Sequence, residues 1–262
     1  VEFRPCIDIH NGKVKQIVGA SLKDQGNQAT ENFVASFEAD YYANLYREAG
    51  IRGGHVILLN SADSEYYEAT KAQAKKALAA YPGGLQIGGG IRPDNAMEFL
   101  EAGASHVIVT SYVFQDGRIL YDRLDTLKRI VGKEHLVLDV SCRRVGEDYF
   151  VVTDRWQKLT DEKVTTELLN RLSQYCDEFL IHAVDVEGKN RGIERDLAEM
   201  LGGYEGIPVT YAGGVHTYED IYLLGELGKG RLNVTVGSAL DLFGGLLSFE
   251  KILKECREFA VK

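Results

Sequence analysis

A chain of 262 residues with a formal charge of −9 has room for one large α/β domain and the wrong sign for a nucleic-acid or anionic-membrane surface, which would repel it. Cys6, Cys142, Cys176 and Cys256 lie far apart with no CxxC pair, so neither a zinc site nor a disulfide framework is indicated, and a reduced cytoplasm is expected. No signal peptide, no apolar run near the roughly 18 residues of a membrane span and no Pro- or Ser-rich linker is seen, so residues 1–262 read as one domain.

The first strand is the apolar run FRPCIDI at residues 3–9, interrupted by Asp8 near its C-terminal end. A carboxyl there costs several kcal/mol unless it is satisfied or useful. Residues 10–35 are polar and glycine-containing, and loops of that length are usually functional, so they read as a lid. Ser36 is expected to cap a helix with Phe37, Tyr41, Tyr42 and Leu45 on one face, ended by Gly50. HVILL at 55–59 is the second strand, and an Ala- and Lys-rich helix over 63–81 follows.

LQIGGGIR at 85–92 is the third strand and its turn, with Pro93 opening the next helix and Gly103 closing it. His106 to Val109 is the fourth strand, ending on Thr110-Ser111, and a helix through Leu124, Leu127 and Val131 stops at Gly132. HLVLDV at 135–140 is the fifth strand, again with an acid, Asp139, near its end. A hairpin-like excursion over 143–156 turns at Gly146-Glu147-Asp148 and carries Trp156, the only tryptophan, which suits stacking on a planar heterocycle. A helix over 165–175 precedes strand six at 178–184, with Asp185 and Glu187 directly after it. Beyond a helix at 194–201, Pro208 to Tyr211 stops at Gly213-Gly214, Val234 to Val236 stops at Gly237-Ser238, and a last helix covers 247–259.

Eight strands alternating with helices predict a parallel sheet closed into a (β/α)8 barrel. The halves echo each other. Asp8, then Gly89-Gly90, then Thr110-Ser111 recurs as Asp139, then Gly213-Gly214, then Gly237-Ser238, which points to a doubled half-barrel. Strand-end glycines let an anion approach bare backbone, and a helix begun at Ser238 would aim free N–H groups at a phosphate. Two such cradles suit a substrate with a phosphate at each end. Arg92 is a further phosphate candidate, and Arg143 and Arg144 weaker ones.

Acids near the C-terminal ends of barrel strands read as catalytic, so Asp8, Asp139 and Glu187 are expected to meet at one mouth. Their crowding should push one pKa upward, leaving one group as base and another as acid. The competing reading for each is a salt bridge or cap at a strand end, whereas Asp185 reads as a structural or loop-positioning acid. No residue sits as an obvious nucleophile, which disfavours Schiff-base and acyl-transfer chemistry.

The segments PCIDIHNGKVKQIV, LQIGGGIR, VLDVSCRR, IHAVDVEG, VTYAGGV and VTVGSALDLFGG, in this order over nearly the whole chain, resemble the barrels of histidine biosynthesis. Among these they are most similar to the eukaryotic form of the phosphoribosylformimino aminoimidazole carboxamide ribotide isomerases. The resemblance implies an Amadori rearrangement of aminoaldose to aminoketose, without cofactor or obligate protein partner. It implies Asp8 as base, Asp139 or Glu187 as acid, and Trp156 stacked on the carboxamide imidazole. Bacterial members carry Thr and Asp-Gly where this chain has Ala183 and Glu187-Gly188, which weakens Glu187 relative to Asp139. The alternatives are the related glutaminase-coupled cyclase and a non-catalytic phosphosugar-binding barrel.

Overall fold

The computed structural model describes residues 1–17, 21–187, 189 and 191–259. Its frame is a ring of eight parallel strands: β1 Cys6–His10, β2 Gly54–Leu58, β3 Leu85–Gly88, β4 His106–Val109, β5 Leu136–Val145, β6 Glu178–Ala183, β7 Val209–Ala212 and β8 Leu232–Val234. Each pairs in parallel with the next. A parallel bridge between Phe3 and Val234 closes the ring, with Arg4 N donating to Val234 O at 2.8 Å and Val234 N to Glu2 O at 2.9 Å. Helices α1 Ala39–Glu48, α2 Tyr67–Ala80, α3 Ala96–Glu101, α4 Tyr121–Val131, α5 Thr166–Leu172, α6 Arg195–Gly202, α7 Tyr218–Leu227 and α8 Phe249–Phe259 follow the strands. The chain is a (β/α)8 barrel. None of its described helices is long and apolar enough to cross a membrane.

The strands read as near-continuous apolar runs because both faces are covered, outward by helices and inward by one another. Inside the barrel the side chains stack in layers. At the N-terminal floor, Glu178 takes hydrogen bonds from Gln86 Nε2 at 3.0 Å and Thr210 Oγ1 at 2.8 Å, with Arg4 Nη1 at 3.4 Å. Above it, Ile108, Val137, Leu180 and Ala212 pack with Ile57 in an apolar middle layer. The acids come next, at the C-terminal mouth.

Three expectations are corrected. Ser36 does not cap α1, which starts at Ala39 because the Gln73 side chain of α2 accepts from Ala39 N at 3.0 Å. Its buried face is Ala39, Tyr42, Ala43 and Tyr46, a clean i, i+3, i+4, i+7 stripe. Phe37 and Tyr41 are instead 55% and 44% exposed, stacked on each other at 4.1 Å. Nor does a helix begin at Ser238: residues 237–240 form a turn, Leu240 N donating to Gly237 O at 3.0 Å, and only a short 3-10 turn, Asp241–Phe243, follows. The helix expected from residue 63 begins at Tyr67, after turns closed by Ser64 N on Ser61 O and Tyr67 N on Ser64 O, both at 3.0 Å.

The segment read as a lid is partly sheet. Lys13–Ile17 pairs antiparallel with β1, and Glu31–Val34 with Lys13–Ile17, while residues 18–20 lie outside the description. Likewise β5 runs on to Val145 and turns back as Asp148–Thr153, against which the largely polar Lys158–Lys163 adds a third strand.

Candidate functional site

The doubled half-barrel is visible in the backbone. Gly89 after β3 has φ +98°, and a Cβ there would sit 2.0 Å from Leu58 O at the end of β2. Gly213 after β7 has φ +120°, and its Cβ would sit 2.8 Å from Ala183 O at the end of β6. Gly90 and Gly214 follow at +69° and +78°. The outer partners match as well: Val113 N donates to Thr110 O at 3.1 Å as Leu240 N does to Gly237 O at 3.0 Å. Thr110-Ser111 and Gly237-Ser238 are thus the same turn in two halves, each beside a left-handed glycine pair that no side chain tolerates cheaply.

The halves differ in cover. Around a Gly90 Cβ nothing lies within 4 Å, whereas a Gly214 Cβ would fall 2.0 Å from Gly192 O and 2.9 Å from Val186 Cγ2, both in the loop after β6. Gly192 N also donates to Gly214 O at 3.2 Å. One cradle is open and the other is roofed.

Asp8 from β1 and Asp139 from β5 come from opposite sides of the ring, and Glu187, whose Oε2 would lie 3.3 Å from a Gly213 Cβ, raises Asp8 and is itself raised by Asp139. Gly188 lies outside the described residues. Burial, and then the charge of Glu187, push Asp8 up to about 7, against the pull of His182 and Gln16. Glu187 is raised too, by burial and by Asp139, with His182 opposing. Burial works against a charge on His182 of β6, but Asp139, then Glu187 and Asp8, override it and lift the imidazole to about 9. Protonated at neutral pH, His182 donates from Nδ1 to Asp139 Oδ1 at 2.8 Å. His55 is the opposite case: burial and the nearby His182 charge lower it to about 3, so it stays neutral.

Sequence reading missed His182, Gln16 and Ser141. Gln16 lies on the strand Lys13–Ile17, within the supposed loop; its Nε2 donates to Asp8 Oδ2 at 3.3 Å and its Oε1 would be 2.9 Å from a Gly237 Cβ. Ser141, two residues beyond Asp139, accepts from Trp156 Nε1 at 3.1 Å, which hangs the half-buried indole at the mouth. The signal for His182 was present, a polar residue near the end of an apolar strand, the same one that exposed Asp8 and Asp139.

Trp156 ends a run of non-glycine residues in left-handed backbone, Asp154, Arg155 and Trp156 at φ +53°, +55° and +68°. The run is held from all sides. Asp154 Oδ2 accepts from Asp116 N at 2.8 Å and Thr153 Oγ1 at 2.6 Å, and Arg155 pairs with Asp24 and donates to Leu22 O at 3.3 Å. The excursion after β5 and the segment after β1 therefore meet over the mouth. Beside this link lies a polar recess of about 310 Å³ lined by Asp24, Asn27, Ser61 and Asp63, away from the Asp8 cluster.

The candidate arginines pair with nearby acids. Arg92 is exposed and paired with Asp94 at 3.1 Å. Arg143 faces Asp185 at 3.5 Å, and Arg144 pairs with Asp196 at 2.7 Å while its N–H donates to Asp185 Oδ2 at 2.8 Å. Asp185 thus positions loops, as expected. Ala183 is buried without a polar group, and Asp139 is held by His182 instead.

Fold and mouth together are those of a (β/α)8-barrel enzyme built as two like halves. The chain belongs to the histidine biosynthesis protein family, whose model matches residues 2–246. It is 51% identical over 257 residues to a chloroplastic 1-(5-phosphoribosyl)-5-((5-phosphoribosylamino)methylideneamino) imidazole-4-carboxamide isomerase of Medicago truncatula, covering 97% of this chain and 81% of the relative. The isomerase of the same name from Neurospora crassa is 45% identical, over 98% of this chain and 97% of that one. That from Saccharomyces cerevisiae is 40% identical, over 95% of each.

Proposed function

We propose that the chain catalyses the Amadori rearrangement of the aminoaldose ribotide bisphosphate, phosphoribosylformimino aminoimidazole carboxamide ribotide, to its aminoketose in histidine biosynthesis. The observation that carries this reading is the pair Asp8 and Asp139 on opposed strands, with Glu187 electrostatically coupled to both, and two glycine cradles of like backbone. The isomerase name of the relatives supports it, and none of the three described above is a cyclase.

Glu187, raised by burial, gives its proton to the ribose ring oxygen as the ring C–O bond breaks. The substrate's own nitrogen lone pair closes the gap as an iminium, so no lysine is needed. Asp8, poised near 7, takes the C2 proton, and that C–H electron pair becomes the C1–C2 double bond. The enol proton then restores Glu187, the proton on Asp8 passes to C1, and the ketone results with no net proton consumed. Glu187 is preferred to Asp139 as donor because His182 already occupies Asp139. Gly89, Gly90, Thr110 and Ser111 hold one phosphate and Gly213, Gly214, Gly237 and Ser238 the other, with Trp156 against the imidazole. The free, buried cysteines suit a reducing compartment, the cytoplasm in this reading; the Medicago truncatula relative is named chloroplastic.

The test is chromatographic. Purified protein given the aminoaldose bisphosphate is expected to form an isomer of unchanged mass. Cyclised product from this chain and ammonia alone, or no conversion, overturns the assignment.

A further inference from the structure

We propose that His182 is a positioning residue of this isomerisation, acting through Asp139: it ties one Asp139 oxygen to β6 and sets a positive charge among the mouth's carboxyls. The inference rests on the isomerase reading for its kinetic part only.

Geometry carries it. Asp139 pairs in register with Leu180 across β5 and β6, so His182 stands one pleat nearer the mouth on the same inward face. There its Nδ1 meets Asp139 Oδ1 at 2.8 Å, while the ring remains 21% and the Asp139 side chain 15% exposed. The charged and titratable groups facing the ring are Asp8 from β1, His55 from β2, Asp139 from β5 and Glu187 from the loop after β6. Three are carboxyls and the fourth is a neutral imidazole, so the site gathers negative charge and supplies one cation to balance it. A hydrogen bond from that cation is the stronger, directional kind, and it fixes Asp139 in a place where an unpaired carboxylate would repel the ionised base. Bound and balanced, Asp139 is held away from the proton exchange, which is left to Asp8 and Glu187, both raised by burial.

Two variants separate charge from contact. His182→Asn keeps a neutral donor near the Nδ1 position, and His182→Ala removes donor and charge. Nuclear magnetic resonance titration of the histidine rings in the ligand-free wild type is expected to show His182 releasing its proton near pH 9, and to show that value falling in Asp139→Asn. Release near the ordinary histidine value of about 6.5 overturns the proposal whether or not the protein is an isomerase. With substrate, His182→Ala is expected to lose about 10²-fold in kcat, with KM within about threefold, and His182→Asn to lose less. The fall of wild-type kcat above pH 9 is expected to vanish in both variants. Unchanged kcat, a loss confined to KM, or an unaltered alkaline limb in folded variants overturns the role. Absence of wild-type turnover, with the ring titration as expected, removes the isomerase reading and leaves the ion pair standing.

Discussion

Gln16 reaches across the antiparallel seam between β1 and the strand Lys13–Ile17 to donate from Nε2 to Asp8 Oδ2 at 3.3 Å. It is the neutral counterpart of His182, favouring the ionised form of Asp8 against the burial that lifts it. Replacing Gln16 by Leu removes that donor and moves Asp8 above its value of about 7. A base works only when ionised, so the acidic limb of kcat against pH shifts to higher pH. Turnover at pH 7 falls by roughly 3- to 10-fold and recovers near pH 8.5. A limb that stays in place in the folded variant argues that Asp8 is not the base.

Asp8→Asn is expected to lose at least ~10³-fold in kcat while substrate still binds. The same variant should be more stable than the wild type. Because the folded-state value of Asp8 is raised from 3.8 to about 7, the native protein holds a proton there that the unfolded chain has released. The associated stability is present below pH 4 and is lost as pH rises through 7. The asparagine has no such loss, so its advantage in unfolding free energy is larger at pH 8 than at pH 5, by about 1–2 kcal/mol after allowance for screening. An advantage of equal size at both pH values contradicts the raised pKa.

Gly89 and Gly90 are expected to respond differently to alanine. At Gly89 the new methyl meets Leu58 O at 2.0 Å, so strand β2 must move, and urea unfolding should show a cost of about 3 kcal/mol or more. At Gly90 there is space, and the cost is the left-handed backbone alone, about 1–2 kcal/mol. Gly90→Ala should instead show its effect as a raised KM, since its methyl occupies the cradle. A Gly90→Ala enzyme with wild-type KM removes Gly90 from the phosphate site.

Ser141→Ala frees the Trp156 indole N–H, and Trp156→Phe keeps a ring while losing the same hydrogen bond. Both are expected to raise KM by roughly 3- to 10-fold, the range of one neutral hydrogen bond, with kcat nearly unchanged. Trp156→Ala removes the stacking face and should cost more. If Trp156→Ala matches Ser141→Ala, the indole does not touch substrate.

The frame was legible because it follows from periodicity and punctuation. Apolar runs ending in glycine gave the strands, and the recurrence of an acid, a Gly pair and a small polar pair gave the doubled half-barrel. What failed was whatever a distant side chain decides. The start of α1 depends on Gln73, thirty-four positions away from Ala39, and nothing local at Ser36 reveals that. The strand Lys13–Ile17 alternates poorly because Lys15 and Gln16 are both buried through polar partners, so its composition reads as loop. The ion pair of Arg92 with Asp94, two residues on, is likewise not announced by the turn that precedes it. Ser141 and His182 are visible only through what they hold, Trp156 and Asp139.

The open Gly90 and the roofed Gly214 bear on a difficulty that any mirrored receptor faces. A ligand with a phosphate at each end fits two like sockets in either direction, and in the wrong one its ribose and imidazole exchange places, setting the heterocycle over the proton donors. Gly192 and Val186, leaning on one socket only, make the two directions unequal. If the two glycine pairs are the phosphate sockets proposed above, a loop that looks like mere packing would distinguish one end of the substrate from the other.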